Sequence, residues 1–434
     1  MCRPAIAFIA SMITRQLIRV LRRSCPLLTA GLVALSIGAA SAQSDEKSQT
    51  ELTRETVASW VADLGSDSRA VRVRAEEALT KHGPAVVDLL PSNSTLDPTV
   101  RESLERIVRT IEDSQTRSAL VPRRVLIRSG DPTECLNAIE TQTGNAISRP
   151  GISLPAMHVF PPDEPLTFWE AIDWIEMHSD LRYGGHQIQV LAQPRPPATE
   201  SGPFRIQLLD HSLRRTAAGQ KLLSAKLRVE CEPRLRPLFL VAGVDKWAAR
   251  IGDQGLEAFT PGASRELPAG RTGEIDIAYD FLVPTASEGK LSLTGEVSLT
   301  LSARTTSVTF SDLQARLPQV RRRGQASLSL LSIKTGEEET VIRMALAFPE
   351  SRGLFESYRS SLLTPDLSLE LADGKHLSAL ETAQVQEDPD GNILESSFAT
   401  ADRQPVRLRA LIPASISTQT VRFEFKDVSL ADSP

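Results

Sequence analysis

From residue 204 onward the chain alternates. Leu291, Leu293, Gly295, Val297, Leu299 and Leu301 occupy every second position with polar residues between them. That is the period of a strand with one buried face. The same reading predicts strands at 204–209, 222–231, 238–241, 275–283, 290–303 and 307–310, then at 327–333, 340–347, 367–371, 380–386, 396–399, 406–412 and 420–425. Upstream the period becomes helical. Val57, Trp60, Val61 and Leu64 predict a helix over 55–64 that Gly65 ends. A second helical stretch covers 67–90, and a third, 98–111, carries Val100, Leu104, Ile107, Val108 and Ile111. Between the two regimes one pattern is written twice. Each copy has a short apolar strand (125–127; 157–160) and an acid-Pro helix start (Asp131-Pro132; Glu164-Pro165). An amphipathic helix (135–139; 168–172) and a return strand (144–147; 181–183) follow. A further strand at 187–191 closes the unit. Proline suits a first helical turn because its missing N–H has no partner to lose there.

The pattern predicts a multidomain α+β chain: an N-terminal helical cap over 52–116, a small βα sandwich module over 123–192, then two tandem antiparallel β-sandwich domains over 203–313 and 325–430. Sandwiches of about 100 residues fit the spacing of short strands. The two β halves look related, since 306–313 and 419–430 end them in similar fashion. The Pro-rich run 193–202 reads as a stiff linker. Residues 314–324, with Arg321, Arg322 and Arg323, read as a second, solvated and protease-sensitive one.

On the doubled motif, residues 125–191 resemble the small βα modules at the N-termini of secretins and of outer-membrane signalling receptors. The resemblance implies protein–protein contact without chemistry; no pore-forming secretin domain accompanies it. Residues 67–90, through Val71, Ala75, Leu79, Gly83, Val86 and Leu90, resemble one HEAT-type repeat. One and a half repeats cannot bury their own faces, so a cap packed on its neighbour is expected. The whole layout resembles secreted proteins of planctomycete type, which implies a compartment and no particular reaction.

The leader changes the charge. Arg15, Arg19, Arg22 and Arg23 precede an apolar run at 26–40, and Ala40-Ser41-Ala42 offers a small-residue cleavage site. Residues 1–42 therefore read as a signal peptide cut after Ala42, with an uncleaved anchor as the other reading and Met12 as a possible start beside Met1. The apolar run falls short of the roughly 20 residues a spanning helix needs. Of 49 basic residues five lie in the leader, so 44 remain against 54 acids, a net charge of about −10. An exported acidic chain disfavours nucleic acid and anionic lipid as partners. After the leader only Cys135 and Cys231 remain, expected as buried thiols. Aromatics at 5% disfavour a sugar-stacking enzyme cleft.

The candidate chemistry is thin. His82, His158, His178, His186, His211 and His376 form neither a His-x-His pair nor a His-Glu-x-x-His helix, and metal sites need ligands converging at fixed spacing. Ser287-Glu288-Gly289-Lys290 and Lys334-Thr335-Gly336 match fragments of the penicillin-recognising serine enzymes, but both fall in predicted turns between strands. Asp388, Asp390 and Asn392 have calcium-loop spacing and fit a β-turn as well. No phosphate loop and no Gly-x-Ser-x-Gly elbow is present. No catalytic, cofactor-binding or metal residue is therefore assigned.

One surface is assigned. At about 100° per residue, Ala171, Ile172 and Ile175 fall within about 60° of Phe168, while Trp174 and Met177 fall near 240° and 180°. Trp174 and Met177 form the candidate interaction face, to be covered either by the neighbouring helical cap or first β-sandwich, or by a partner protein. The expectation is an exported, periplasmic or envelope protein that binds a protein partner and is not an enzyme. The other reading is an envelope carbohydrate-binding protein or hydrolase with its site on a β-sandwich face.

Overall fold

A computed structural model describes residues 52–87, 89–91, 96–149, 162–190, 195–270, 273–284, 288–348, 359–388 and 391–432. The expected signal peptide, the strand expected at 157–160 and Ser287 lie outside them. The fold is mostly β with a helical N-terminal part, in agreement with a multidomain α+β chain.

Four helices come first: α1 (Arg54–Asp63), α2 (Arg69–His82), α3 (Pro84–Val87) and α4 (Pro98–Ala119). Thr53 and Asp97 cap α1 and α4 by accepting backbone N–H groups, satisfying donors that helix ends leave free. Val57, Val61, Leu79, Leu104 and Ile107 converge on a core of their own. α4 runs well past residue 111, and its last residue, Ala119, enters the core of the first β region.

The module follows. β1 (Arg124–Val125) pairs with β2 (Leu166–Thr167), α5 (Pro132–Thr143) and α6 (Phe168–Met177) carry the core, and β3 (Leu181–Gly184) and β4 (Gln187–Val190) form a hairpin. Asp131 caps α5 as its acid-Pro start predicts. The second copy departs from the expectation. α6 starts not at Glu164-Pro165 but at Phe168, where Thr167 and Glu170 form a reciprocal capping box.

Among the described residues, twenty-one strands follow. β5 (Ala198–Ser201), β6 (Phe204–Asp210), β7 (Ser212–Arg215), β8 (Lys221–Cys231) and β13 (Ile275–Leu282) lie in one layer of the first β region. β9 (Arg236–Gly243), β10 (Trp247–Ile251), β12 (Ser264–Pro268) and β14 (Leu291–Ser302) lie in the other. β11 (Gln254–Ala258) bridges the layers by pairing with β10 and β13. In the second region, β15 (Thr305–Phe310), β23 (Pro405–Pro413), β19 (Asp366–Leu371) and β20 (His376–Ser378) form a four-stranded sheet. It faces a five-stranded sheet of β16 (Gln319–Arg323), β17 (Ala326–Thr335), β18 (Thr340–Ala347), β22 (Gly391–Phe398) and β21 (Glu381–Asp388) across a core with Phe310, Leu330, Met344 and Ile412. A short helix, α7 (Arg359–Leu362), precedes β19.

The division at 313 and 325 is not the one the strands make. β15, expected to end the first β-sandwich, pairs with β23 of the second region. β24 (Ile416–Val428), expected to end the second, lies along the whole of β14 and sends Val421, Phe423 and Phe425 into the first core. β25 (Ala431–Asp432) then pairs with β7. Neither expected linker is free. Ala198–Ser201 is β5, and Arg321, Arg322 and Arg323 lie in β16, an edge strand whose charges discourage pairing with another chain.

Candidate functional site

Among the described residues, a concentration of buried charge lies where α6 meets the first β region. α6 is buried almost all round, as a helix covered on two sides must be. Phe168, Ile172 and Ile175 face the module's own core. Trp169, Asp173 and Glu176, at i, i+4 and i+7, share another face. It meets the polar side of β6 and β8. Alternation there sends Phe204, Ile206 and Leu208 into the first β core. Arg205 and Gln207 alternate with them, and α6 covers Arg205.

Arg205 is fully buried. Its Nη2 lies 2.9 Å from Asp173 Oδ1 and 3.7 Å from Glu176 Oε2. Its guanidinium sits 5.4 Å from the centre of the Trp169 ring, a favourable cation–π placement. Trp169 Nε1 donates to Pro203 O at 3.1 Å. Arg195 pairs with Asp173 and, at 3.4 Å, with Glu176; the Pro-rich run is thus tied down rather than free. The second oxygen of Glu176 accepts the Tyr183 N–H at 2.7 Å. Directly across the strand pair from Arg205 stands Glu230, itself buried.

Burial raises Glu230 well above the usual carboxylate range; Arg205 opposes this and Glu274 adds to it. Burial likewise holds the Tyr183 phenol well above its usual value, with the Glu230 carboxylate adding to the rise. Nε and Nη1 of Arg205, the Tyr183 hydroxyl and Oε2 of Glu230 are buried without a hydrogen-bond partner. Glu274 accepts the Gly185 N–H and lies 3.3 Å from Arg228, which also grips Asp276 at 2.8 and 3.2 Å.

A second clamp sits at the end of β8. Fully buried Glu232 accepts from Asn145 Nδ2 at 3.0 Å, from Arg123 N at 3.2 Å and from Arg234 Nε at 2.6 Å. Arg234 also donates to the carbonyls of Ala119 and Val121. One carboxylate and one guanidinium thereby join α4, the module and the first β region.

The expected interaction face divides. Trp174 is 7% exposed, belongs to the module's core and lies 5.2 Å from the His178 ring. It is not a surface residue, because the helix is covered on more of its circumference than one apolar stripe implies. Met177 is 65% exposed. What sequence reasoning missed was the Trp169, Asp173 and Glu176 stripe. The signal was legible: two acids and a tryptophan at helical spacing, with Arg205 two residues after Pro203 and Arg195 eight before it.

The other candidate residues stay apart. Cys135 and Cys231 are buried and unpaired, and burial pushes the Cys135 thiol up to about 11 and the Cys231 thiol higher still; thiols so raised are poor nucleophiles. His82 stacks on Trp60 at 5.0 Å, and His178 Nδ1 lies 2.7 Å from Trp174 O. Among the described residues no group of three or more His, Cys, Asp or Glu is placed to hold a metal ion. Lys334-Thr335-Gly336 belongs to the β17–β18 hairpin, where Gly336 N donates to Glu339 O. Asp388 pairs with Gly391 across a second hairpin; Pro389 and Asp390 lie outside the described residues. No described helix is long and apolar enough to cross a membrane.

One open concavity lies away from these joints. It is a groove of about 460 Å3 on the outer face of the β15–β23–β19–β20 sheet, lined by hydroxyl side chains, Glu370, His376, Arg407 and Arg409.

No family model matches the chain, and no curated protein matches it. Among solved structures, a conserved domain protein from Bacillus anthracis aligns over 54% of this chain and 91% of its own, at 9% identity and a TM-score of 0.19, a likeness too slight to carry an argument.

Proposed function

We propose that the chain is an exported, non-catalytic interaction protein of the periplasm or cell envelope, a rigid scaffold that offers its outer surface to another protein. In this reading residues 52–116 are a HEAT-like helical cap and residues 123–192 a secretin-like module. The carrying observation is the use made of the buried charges. Buried Arg205, Glu176 and Glu232, with half-buried Asp173, hold the module and α4 on the β region. Clustered buried charge marks functional sites in general and structural ion networks too; here the geometry is that of a joint. A scaffold needs such joints, since interfaces between domains otherwise permit relative motion.

The partner face left to the module includes Met177, an unbranched, adaptable apolar side chain of the kind found at binding surfaces. A photo-crosslinking residue at position 177 of the full chain, irradiated in its own envelope, should give one adduct of defined mass with another protein. Met177→Glu should abolish capture of that same protein while leaving the melting temperature unchanged. Absence of any discrete adduct, or capture unaffected by the glutamate, removes this face as the site of interaction.

A second reading has an observation of its own. The polar groove on the second β region is where an envelope carbohydrate-binding protein would hold its ligand. Its lining has one carboxylate, Glu370, committed to Arg407 at 2.7 Å. Glycoside hydrolysis in most families requires two, so the groove favours binding over cleavage.

A further inference from the structure

The groove on the second β region has an ordered charge pattern. Strand register places Thr309, Arg409, Ser368 and Ser378 abreast across all four strands. The next row holds Arg407, Glu370 and His376. Strands lie about 4.8 Å apart, and residues two apart on one strand are separated by roughly 6.6 Å. Two guanidiniums therefore stand side by side on one face of β23. Arg407 is neutralised by Glu370. Arg409 donates Nε to Ser307 Oγ at 2.9 Å, a neutral acceptor. The opposite face of the same strand sends Leu408, Ala410 and Ile412 into the core, so the positions of both arginines are fixed by a buried face.

The geometry points to this groove as a binding site for an acidic polysaccharide, with Arg409 receiving a sugar carboxylate and the flanking hydroxyls and His376 meeting sugar hydroxyls. The inference rests on the carbohydrate-binding reading and narrows it. Arg presents a planar fork of donors that suits a carboxylate. Ser307, Thr309 and Ser368 can each donate and accept, which suits a polyhydroxylated ligand better than an apolar one. Openness along a sheet face suits a chain rather than a single small molecule. A cationic spot on a chain with an excess of acids is also selective, because anions are repelled elsewhere.

The test uses the full mature chain, oligogalacturonate as the acidic probe, a neutral maltooligosaccharide and poly-glutamate as comparisons, and calorimetry at low and physiological salt. Oligogalacturonate should bind, and more weakly at the higher salt. Arg409→Gln should weaken it at least ten-fold, and Ser368→Ala less, with melting temperatures unchanged in both. Equal binding of the neutral oligosaccharide, insensitive to Arg409→Gln, overturns the acidic assignment and leaves carbohydrate binding standing. Poly-glutamate bound as well as oligogalacturonate through Arg409 overturns the polysaccharide assignment. Binding of none of the three overturns both readings.

Discussion

Glu230 sits in an environment that its position in an alternating strand does not imply. As an outward acid on β8 it reads as solvated; under the module it is buried beside Arg205. Its native pKa is raised, with burial the first cause. The native state therefore holds a proton that the unfolded chain, with an ordinary carboxylate near 4.3, gives up earlier. Where the folded form binds more protons, stability falls as pH rises. Glu230 thus contributes a loss of stability that begins near the ordinary carboxylate range and continues up to its raised native value. Glu230→Gln should flatten that part of the stability–pH curve, measured by urea unfolding across the range. Arg205, Arg228, Glu274, Asp173, Glu176 and Tyr183 all face this region, so a residual slope is expected. An unaltered slope in the variant would falsify the assignment of this dependence to Glu230.

Among elements, α4 shows where local pattern ends and tertiary contact begins. Its helical period, its cap at Asp97 and its stripe Val100, Leu104, Ile107 and Ile111 were legible. Its continuation to Ala119 was not, because the last two turns are held by the β regions rather than by an apolar stripe. Glu112 accepts the Gly324 N–H at 2.7 Å in the turn between β16 and β17. Gly324 has φ +58°, and a Cβ there would lie 2.3 Å from Ala414 O. Positive φ alone costs an L-residue roughly 1 kcal/mol, and a contact that close forces the turn to move. Gly324→Ala should therefore destabilise the protein by more than about 1 kcal/mol in chemical unfolding. Loss of the Glu112 contact should appear as faster hydrogen exchange at the C-terminal end of α4. The long strands were legible from period two, as at 291–302. The short ones, β5, β7, β10, β11, β12, β16 and β20, were not, since three to five residues with turn-forming neighbours carry too little alternation. Of the candidate face, Met177 stands exposed, covered by neither the helical cap nor the first β region. Trp174 does not, because helical angle says which residues share a side and not how many sides are covered.

At the scale of the whole chain, the two β regions exchange strands. β15 leaves the first stretch of sequence to pair with β23, and β24 returns from the far end to lie along β14. Period and spacing identify each strand, yet pairing partners more than 100 residues apart leave no local trace. The exchange makes the first core depend on the C-terminus. Phe423 sits 5.0 Å from Trp247, which also meets Tyr279 edge-on at 4.9 Å. Removing residues 414–434 strips Val421, Phe423 and Phe425 from that core and bares one long edge of β14. Deleting single large core side chains costs about 3–5 kcal/mol each, against a typical domain stability of 5–15 kcal/mol. A chain ending at Pro413 should therefore lose the native near-ultraviolet contribution of Trp247 and the protection of β14 amides. The second core keeps all its strands, β15 to β23, and β17 and β18 should stay protected from exchange in the same sample. If β14 remains as protected as in the full chain, β24 is an accessory strand and the first β region closes without it. If β17 and β18 are lost together with β14, the two cores unfold as one, and strand exchange has fused them into a single cooperative unit.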